Sequence, residues 1–235
     1  MKISIIVPVY NEEKTVIQLL QKLLKVTFPV QREIILVEDG STDDTKSKIQ
    51  NAKLKGITIV YHKKNMGKGA AVITGIKHAT GDYIIIQDAD LEYDPQQLVP
   101  LIKPLQEGKA EVVYGTRLDR LPDFKGEQRT FQSLFHYVGN KFLSLVTSII
   151  YLQWVTDMET CYKIFPRESV ANFKLKAKGF EFEPEITAKL LKYGYKIYEL
   201  PISVSPRGYN EGKKIHTFRD GFRACWYLLK YRFTD

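Results

Sequence analysis

The sequence predicts an α/β protein built on a mostly parallel sheet flanked by helices. Three observations carry this. Five short runs rich in branched residues have the length of buried strands: 3–9 (ISIIVPV), 33–38 (EIILVE), 57–61 (ITIVY), 82–87 (DYIIIQ) and 111–115 (EVVYG). Segments with apolar residues at helical spacing alternate with them, which is the pattern of βαβ units. Four of the runs end in polar clusters, PVYNEE, EDGSTDD, HKKNMGKG and QDADLE. In open parallel sheets the carboxyl ends of the strands are where ligands bind, so these clusters are expected to face one crevice.

Taken in order, Pro8 sits near the end of the first strand, where a missing N–H is tolerable. Val16, Leu19, Leu20, Leu23 and Leu24 predict a helix over 12–25. Ser41 and Asp44 form a capping-box pattern that predicts a helix through about Ala52. Helices are expected over 68–79 and over 95–107, the latter entered by Pro95. The second half is less regular. A charged loop is expected over 119–130. Residues 131–153 read as a long apolar helix or a helix pair, and a further strand is expected over 161–165. A helix over 184–193, a strand over 195–200, a basic Gly-rich loop and an amphipathic helix over 217–232 complete the chain.

Composition narrows the function. The 235 residues can bury one sizeable core, and 44% hydrophobic with 26% charged residues is ordinary globular composition. Cys161 and Cys225 form no CxxC pattern, which argues against structural zinc. No signal peptide and no apolar run of spanning length is read, so a cytoplasmic protein is expected. The net charge of +8 favours anionic partners. No nucleic-acid-binding module is recognised, and the basic residues do not interleave with stacking aromatics.

Within QDADLE, Asp88 and Asp90 would point the same way if the chain stays extended, with Glu92 able to join them. Carboxylates so placed suit Mg²⁺ or Mn²⁺ with a diphosphate completing the shell. NMGKGA is neither a Walker A loop nor GxGxxG, but a Gly-flanked helix start beside Lys64 and Lys68 suits an anion. Asp39 in EDGSTDD can accept from a ribose hydroxyl or a base N–H. Asp157 and Glu159 in TDMETCYK read equally as an acid–base site or a solvated turn. Arg117, Arg129 and Arg207 offer forks that match phosphate oxygens. On the last helix Phe218, Phe222, Trp226 and Leu229 share a face, with Arg219, Arg223 and Lys230 around it. That pattern suits either a membrane surface or packing on the core.

As a set, IIVPVYNEE, ILVEDGSTDDT, NMGKGAAV, GDYIIIQDADLEYDP, VVYGTR, TDMETCYKIF and SPRGYNEGKKI resemble the family 2 glycosyltransferases of the GT-A (nucleotide-diphospho-sugar transferase) fold, near the polyprenyl- and dolichyl-phosphate hexose synthases. The resemblance spans nearly the whole chain and implies one Rossmann-like catalytic domain: a nucleotide-sugar and metal half (1–117), an acceptor half (118–216) and a C-terminal amphipathic helix (217–235). It implies that Pro8, Tyr10, Glu12 and Asp39 surround the nucleoside, with Lys68 beside it. Asp88 and Asp90 would hold the metal (Mg²⁺ or Mn²⁺) and the diphosphate. Glu92 would add a ligand oxygen where mannose synthases often have Gln. Asp157 keeps its family position, while Cys161-Tyr162 replaces the usual glycine and aromatic. Arg117, Arg129 and Arg207, with Ser133 beside them, would receive the acceptor phosphate. The implied activity is an inverting, metal-dependent transfer of a hexose from a UDP- or GDP-sugar to a polyprenyl or dolichyl phosphate. The protein would act peripherally on an anionic membrane, alone or with a membrane-spanning partner. A family 2 enzyme acting on a soluble, glycolipid or polysaccharide acceptor is the alternative. A nucleotide-binding protein without catalysis is the reading from another class.

Overall fold

The structure is a computed structural model that describes residues 1–117, 131–205 and 217–234. Seven strands form one sheet: β1 (Lys2–Val9), β2 (Gln31–Glu38), β3 (Ile57–Tyr61), β4 (Tyr83–Ile86), β5 (Val112–Thr116), β6 (Lys163–Pro166) and β7 (Ile197–Pro201). Their order is β3-β2-β1-β4-β6-β5-β7. All run parallel except β6, which lies antiparallel between β4 and β5. The expected mostly parallel sheet is therefore present, with one inverted strand. The helices are α1 (Val16–Lys25), α2 (Thr45–Asn51), α3 (Lys68–His78), α4 (Leu98–Gln106), α5 (Phe131–Tyr151), α6 (Phe182–Lys192) and α7 (Thr217–Phe233).

The central strands are branched and apolar because both of their faces are covered. Ile3, Ile5, Ile6 and Val7 of β1 and Ile84, Ile85 and Ile86 of β4 are fully buried. Each such side chain contributes about 1.5–3 kcal/mol relative to exposure. Gly75 lets α3 lie close on β1, since a Cβ there would meet the Ile6 side chain. The chain winds outward from β1 to β2 and β3, then returns to place β4 on the other side of β1. The strand order reverses between β1 and β4, so a crevice opens at their carboxyl ends.

Four local expectations need correction. The helix expected from residue 12 starts at Val16, because Glu12 closes a turn onto Thr15 and Val16. No capping box forms at Ser41. The Ser41 hydroxyl accepts from the Asn11 amide instead, and α2 begins only at Thr45. Pro95 opens a 3₁₀ turn over Pro95–Gln97 before α4. The chain after Ile86 turns rather than staying extended: Asp90 Oδ1 accepts from Glu92 N at 3.0 Å, and Leu91 has φ 65°. The alternating-side argument for Asp88 and Asp90 therefore does not hold. Over 131–153 the alternative resolves as one helix, Phe131–Tyr151, in keeping with the first of the two readings.

The second half inverts the usual amphipathic logic. α5 buries Ser144, Thr147 and Ser148, while Val138, Phe142, Leu145 and Ile149 are exposed. The buried hydroxyls have work there. Ser148 Oγ accepts from Val155 N and Ser144 Oγ from Met158 N, both at 3.0 Å, which pins the loop between α5 and β6.

Candidate active site

The loops after β1, β2 and β4 meet at the strand-order reversal, and they carry most of the residues that the sequence singles out. Pro8 and Tyr10 lie at the end of β1, both partly buried. The Glu12 carboxylate accepts from the Thr15 hydroxyl at 2.8 Å, and Glu12 N donates to Thr45 Oγ1, so Glu12 joins the β1 loop to α1 and α2.

Asp39 is buried at the end of β2 and is already heavily used. Its oxygens accept from Met66 N (2.9 Å) and Gly67 N (2.8 Å), and His62 Nδ1 lies 2.6 Å away. The other ring nitrogen of His62 meets Thr74 Oγ1 at 2.9 Å. Asp39 thus anchors the glycine loop that leads into α3. Nothing in the spacing of the sequence marks His62 as the partner of Asp39.

Lys68 opens α3 and reaches across the crevice. Its ammonium lies 2.9 Å from Asp88 Oδ1 and 3.1 Å from Glu183 Oε1. Burial alone would raise the Asp88 pKa, but Lys68 outweighs it and holds the carboxyl below its ordinary value. Burial likewise opposes the Lys68 charge, and Asp88 and Glu183 overcome it, so the ammonium pKa stands well above the usual lysine range. Glu183 also takes Lys163 Nζ, which bonds the Thr160 carbonyl in turn. Sequence reading missed Glu183 and Lys163, whose charges look like a solvated helix face and a strand edge.

Asp157 is fully buried and locked. Arg117 donates to it three times: N to Oδ2 at 2.9 Å, Nε to Oδ2 at 2.7 Å and Nη2 to Oδ1 at 2.8 Å. Burial works against the guanidinium charge, but Asp157 holds its pKa well above the ordinary value. Two residues expected to serve the acceptor separately are therefore each other's partner. Glu199 accepts from the Thr156 and Asp157 amides and so holds the same loop. Arg129 and Arg207 lie outside the described residues. Of Ser133 only the backbone, in the first turn of α5, is described.

The carboxylates at the end of β4 are hard oxygen donors of the kind a divalent metal takes. Among the described residues no three His, Cys, Asp or Glu side chains gather as a metal cage. Asp88, Asp90 and Glu92 are thus not a complete site by themselves. The turn at 89–92 aims the Glu92 amide at Asp90, and Asp88 faces Lys68. What remains is a pair of hard carboxylates at a crevice. That fits Mg²⁺ or Mn²⁺ of the kind that takes one or two carboxylates and fills its shell with substrate phosphates.

Residues 4–171 match the family described as glycosyl transferase family 2. The chain is 28% identical over 235 residues to a dolichol-phosphate mannosyltransferase of Pyrococcus furiosus, covering 98% of this chain and 64% of the relative. It is 28% identical over 232 residues to a low-salt glycan biosynthesis hexosyltransferase of Haloferax volcanii, covering 97% of this chain and 53% of that protein. The chain therefore spans between half and two thirds of the length of these relatives. Among solved structures it resembles glucosyl-3-phosphoglycerate synthase from Mycobacterium tuberculosis in complex with Mn²⁺, uridine diphosphate and phosphoglyceric acid. The TM-score is 0.74 at 19% identity, over 100% of this chain and 79% of that one. That likeness establishes the GT-A-like architecture.

Proposed function

The chain belongs to glycosyl transferase family 2, and from that premise we propose that it moves a hexose, with inversion, from a nucleoside diphosphate sugar to an acceptor carried by a lipid at an anionic membrane surface. The observation that carries the lipid is the exposed apolar surface of α5 and α7. Phe142, Ile149, Leu152 and Trp154 are 58–86% exposed in and after α5, and Phe222, Trp226 and Phe233 are 60–83% exposed on α7. The two helices pack on each other. Solvated aromatics in this number are costly unless something covers them. Arg223, Lys230 and Arg232 are exposed among those of α7. Their charge, on a chain of net +8, favours an anionic bilayer over a second copy of the chain. Among the described residues no helix is long and apolar enough to cross a membrane. The polyprenyl phosphate expected from the sequence is one acceptor of this kind, in keeping with the name of the Pyrococcus relative. A glycolipid is another.

The crevice residues suit the donor end of this reaction. The start of α3 and the Lys68 ammonium place positive charge beside the carboxyl end of β4, where a diphosphate would lie. Asp88 and Asp90 would hold the divalent metal, which when bound neutralises charge on the departing diphosphate. The Arg117–Asp157 pair fixes the loop on the acceptor side.

The test is co-sedimentation with phosphatidylserine-containing vesicles at low and high salt. A second arm is mass spectrometry of lipids after incubation with UDP- and GDP-hexoses and Mn²⁺. Binding that falls with salt and in Phe222→Ser/Trp226→Ser, with a glycosylated lipid formed, is the expected result. Transfer to soluble acceptors alone, with no vesicle binding, would refute the lipid reading.

A further inference from the structure

We propose that Glu159 accepts the proton of the incoming nucleophile, and hence that the acceptor attacks through a hydroxyl and not through an ionised phosphate. This deepens the transferase reading above and rests on it. Glu159 lies in the loop that β6 carries to the carboxyl ends of β4 and β5. Ile164 pairs with both Ile85 and Val113, and Gly115 N donates to Tyr162 O. The loop therefore stands at the level of Asp88, on the second-half side of the crevice.

Its neighbouring carboxylates have charged or backbone-amide partners where Glu159 Oε1 has no hydrogen bond. Asp88 has Lys68, Asp157 has the Arg117 fork, and Glu199 has two backbone amides. Glu183 has Lys68 and Lys163. Oε1 of Glu159 is shut off from solvent with no hydrogen-bond partner, although the residue as a whole is partly open. Among the described residues four buried side-chain oxygens lack a hydrogen bond: those of Glu159, the adjacent Thr160, Glu183, whose Oε1 keeps its ion pair with Lys68 at 3.1 Å, and Glu38. Two of the four are thus neighbours in this loop. Buried polar atoms left this way call for a ligand or a proton to complete them.

The groups that face Glu159 set its proton affinity. Burial raises it most, Lys163 on β6 lowers it, Glu183 on α6 raises it, Arg117 after β5 lowers it and Asp157 raises it, with the result about 7. Cys225 on α7 also senses its charge. A carboxyl tuned to that range takes a proton efficiently near neutrality. Asp157, the other acid of TDMETCYK, has both oxygens engaged by Arg117 and is fully buried. A polyprenyl phosphate is already ionised and would need no such base. An alcohol does need one. The acceptor oxygen forms its bond to the anomeric carbon, the bond from that carbon to the diphosphate oxygen breaks with its electron pair leaving on the diphosphate, and the hydroxyl proton passes to Glu159.

The experiment compares the full chain with Glu159→Gln. Both receive nucleotide-hexose and Mn²⁺, with a polyprenyl phosphate, a glycolipid, a free sugar or water as acceptor in parallel. With any hydroxyl acceptor, kcat should fall about 100-fold or more in Glu159→Gln at unchanged donor KM. The wild-type kcat should fall as pH drops through about 7, and the variant should lack that limb. The same loss with a free sugar but none of the lipids would support Glu159 and refute the lipid acceptor. Transfer to polyprenyl phosphate alone, at equal rate in both proteins, would overturn the role of Glu159 and leave the lipid reading intact. A variant within threefold of wild type on a hydroxyl acceptor also overturns it. If Glu159→Gln fails to bind UDP, the wild-type profile decides, and absence of the limb near neutrality rejects the proposal.

Discussion

Replacing Asp157 by Asn should destabilise the protein by about 3–5 kcal/mol, the range for breaking one side of a buried ion pair. The structure supplies the terms. Two side-chain bonds from Arg117, at 2.7 and 2.8 Å, are charge-assisted. Making the acceptor neutral lowers each by roughly 1 kcal/mol. The new amide group also turns a donor toward the guanidinium, leaving buried donors face to face at a further cost of about 1–3 kcal/mol. For a chain of this length each kcal/mol moves Tm by about 2–4 °C, so a drop on the order of 10 °C is expected by calorimetry. Arg117→Met should cost at least as much, since it strands the Asp157 carboxylate, which has no side-chain exposure, whereas Arg117 keeps 20%. The double variant should lose little beyond Asp157→Asn alone. A coupling energy above about 1 kcal/mol in the cycle confirms the fork, and single effects that add within about 0.5 kcal/mol would refute it. Added salt should leave the coupling unchanged, because a buried pair is poorly screened.

Gly67→Ala should weaken UDP binding and lower Tm: Gly67 sits at φ 96°, and a Cβ there would run into the Lys178 carbonyl oxygen. Titration calorimetry with UDP checks it, and wild-type affinity would show that the loop can move aside. Glu33 gives a pH signature. Burial would raise its pKa, but Ser4, Lys2 and Thr80 outweigh that and hold it at about 2. An unfolded Glu titrates near about 4.3. Its contribution to stability is therefore complete above about 4.3 and lost as pH falls toward 2. The Tm advantage of wild type over Glu33→Gln should be constant above pH ~5 and shrink below it; an advantage that grows on acidification contradicts the assignment. Asp90→Asn should abolish the gain in UDP affinity that Mn²⁺ provides while leaving metal-free UDP binding within about threefold, a difference near 0.6 kcal/mol.

The parallel strands are legible because burial on both faces demands unbroken branched runs, and ISIIVPV and YIII announce themselves. β6 is shorter and mixed, KIFP, and its antiparallel insertion between β4 and β5 depends on where the second half folds back. The donor-side cluster is legible as positions at strand ends. Its internal wiring is not, because pairing distance in sequence is large: Lys68 to Glu183, Arg117 to Asp157, His62 to Asp39. Charged residues in a helix are read as solvent-facing by default. α6 defeats that default by burying Glu183, Glu185 and Lys189, with Glu185 and Lys189 paired at 3.1 Å. α5 defeats the opposite default, hiding serines that hold the loop before β6 and exposing its phenylalanine and isoleucine.

The placing of Lys68 between two carboxylates bears on how the proposed donor site could hold its charges with and without a ligand. A carboxylate kept ready for a metal is costly to bury alone. Here Asp88 is held ionised by Lys68, so the site is charged in advance without an unpaired anion. If, as proposed, a cation and a diphosphate took over Asp88, the ammonium would keep Glu183, 3.1 Å away, and the Phe180 ring, 6.0 Å away. Neither Lys68 nor Asp88 is then stranded in either state. Such an exchange would replace one ion contact by another rather than break one outright, keeping the reorganisation small where charge would develop on a leaving diphosphate. Glu183 is the residue that permits this, and the Lys163 contact keeps it in place throughout.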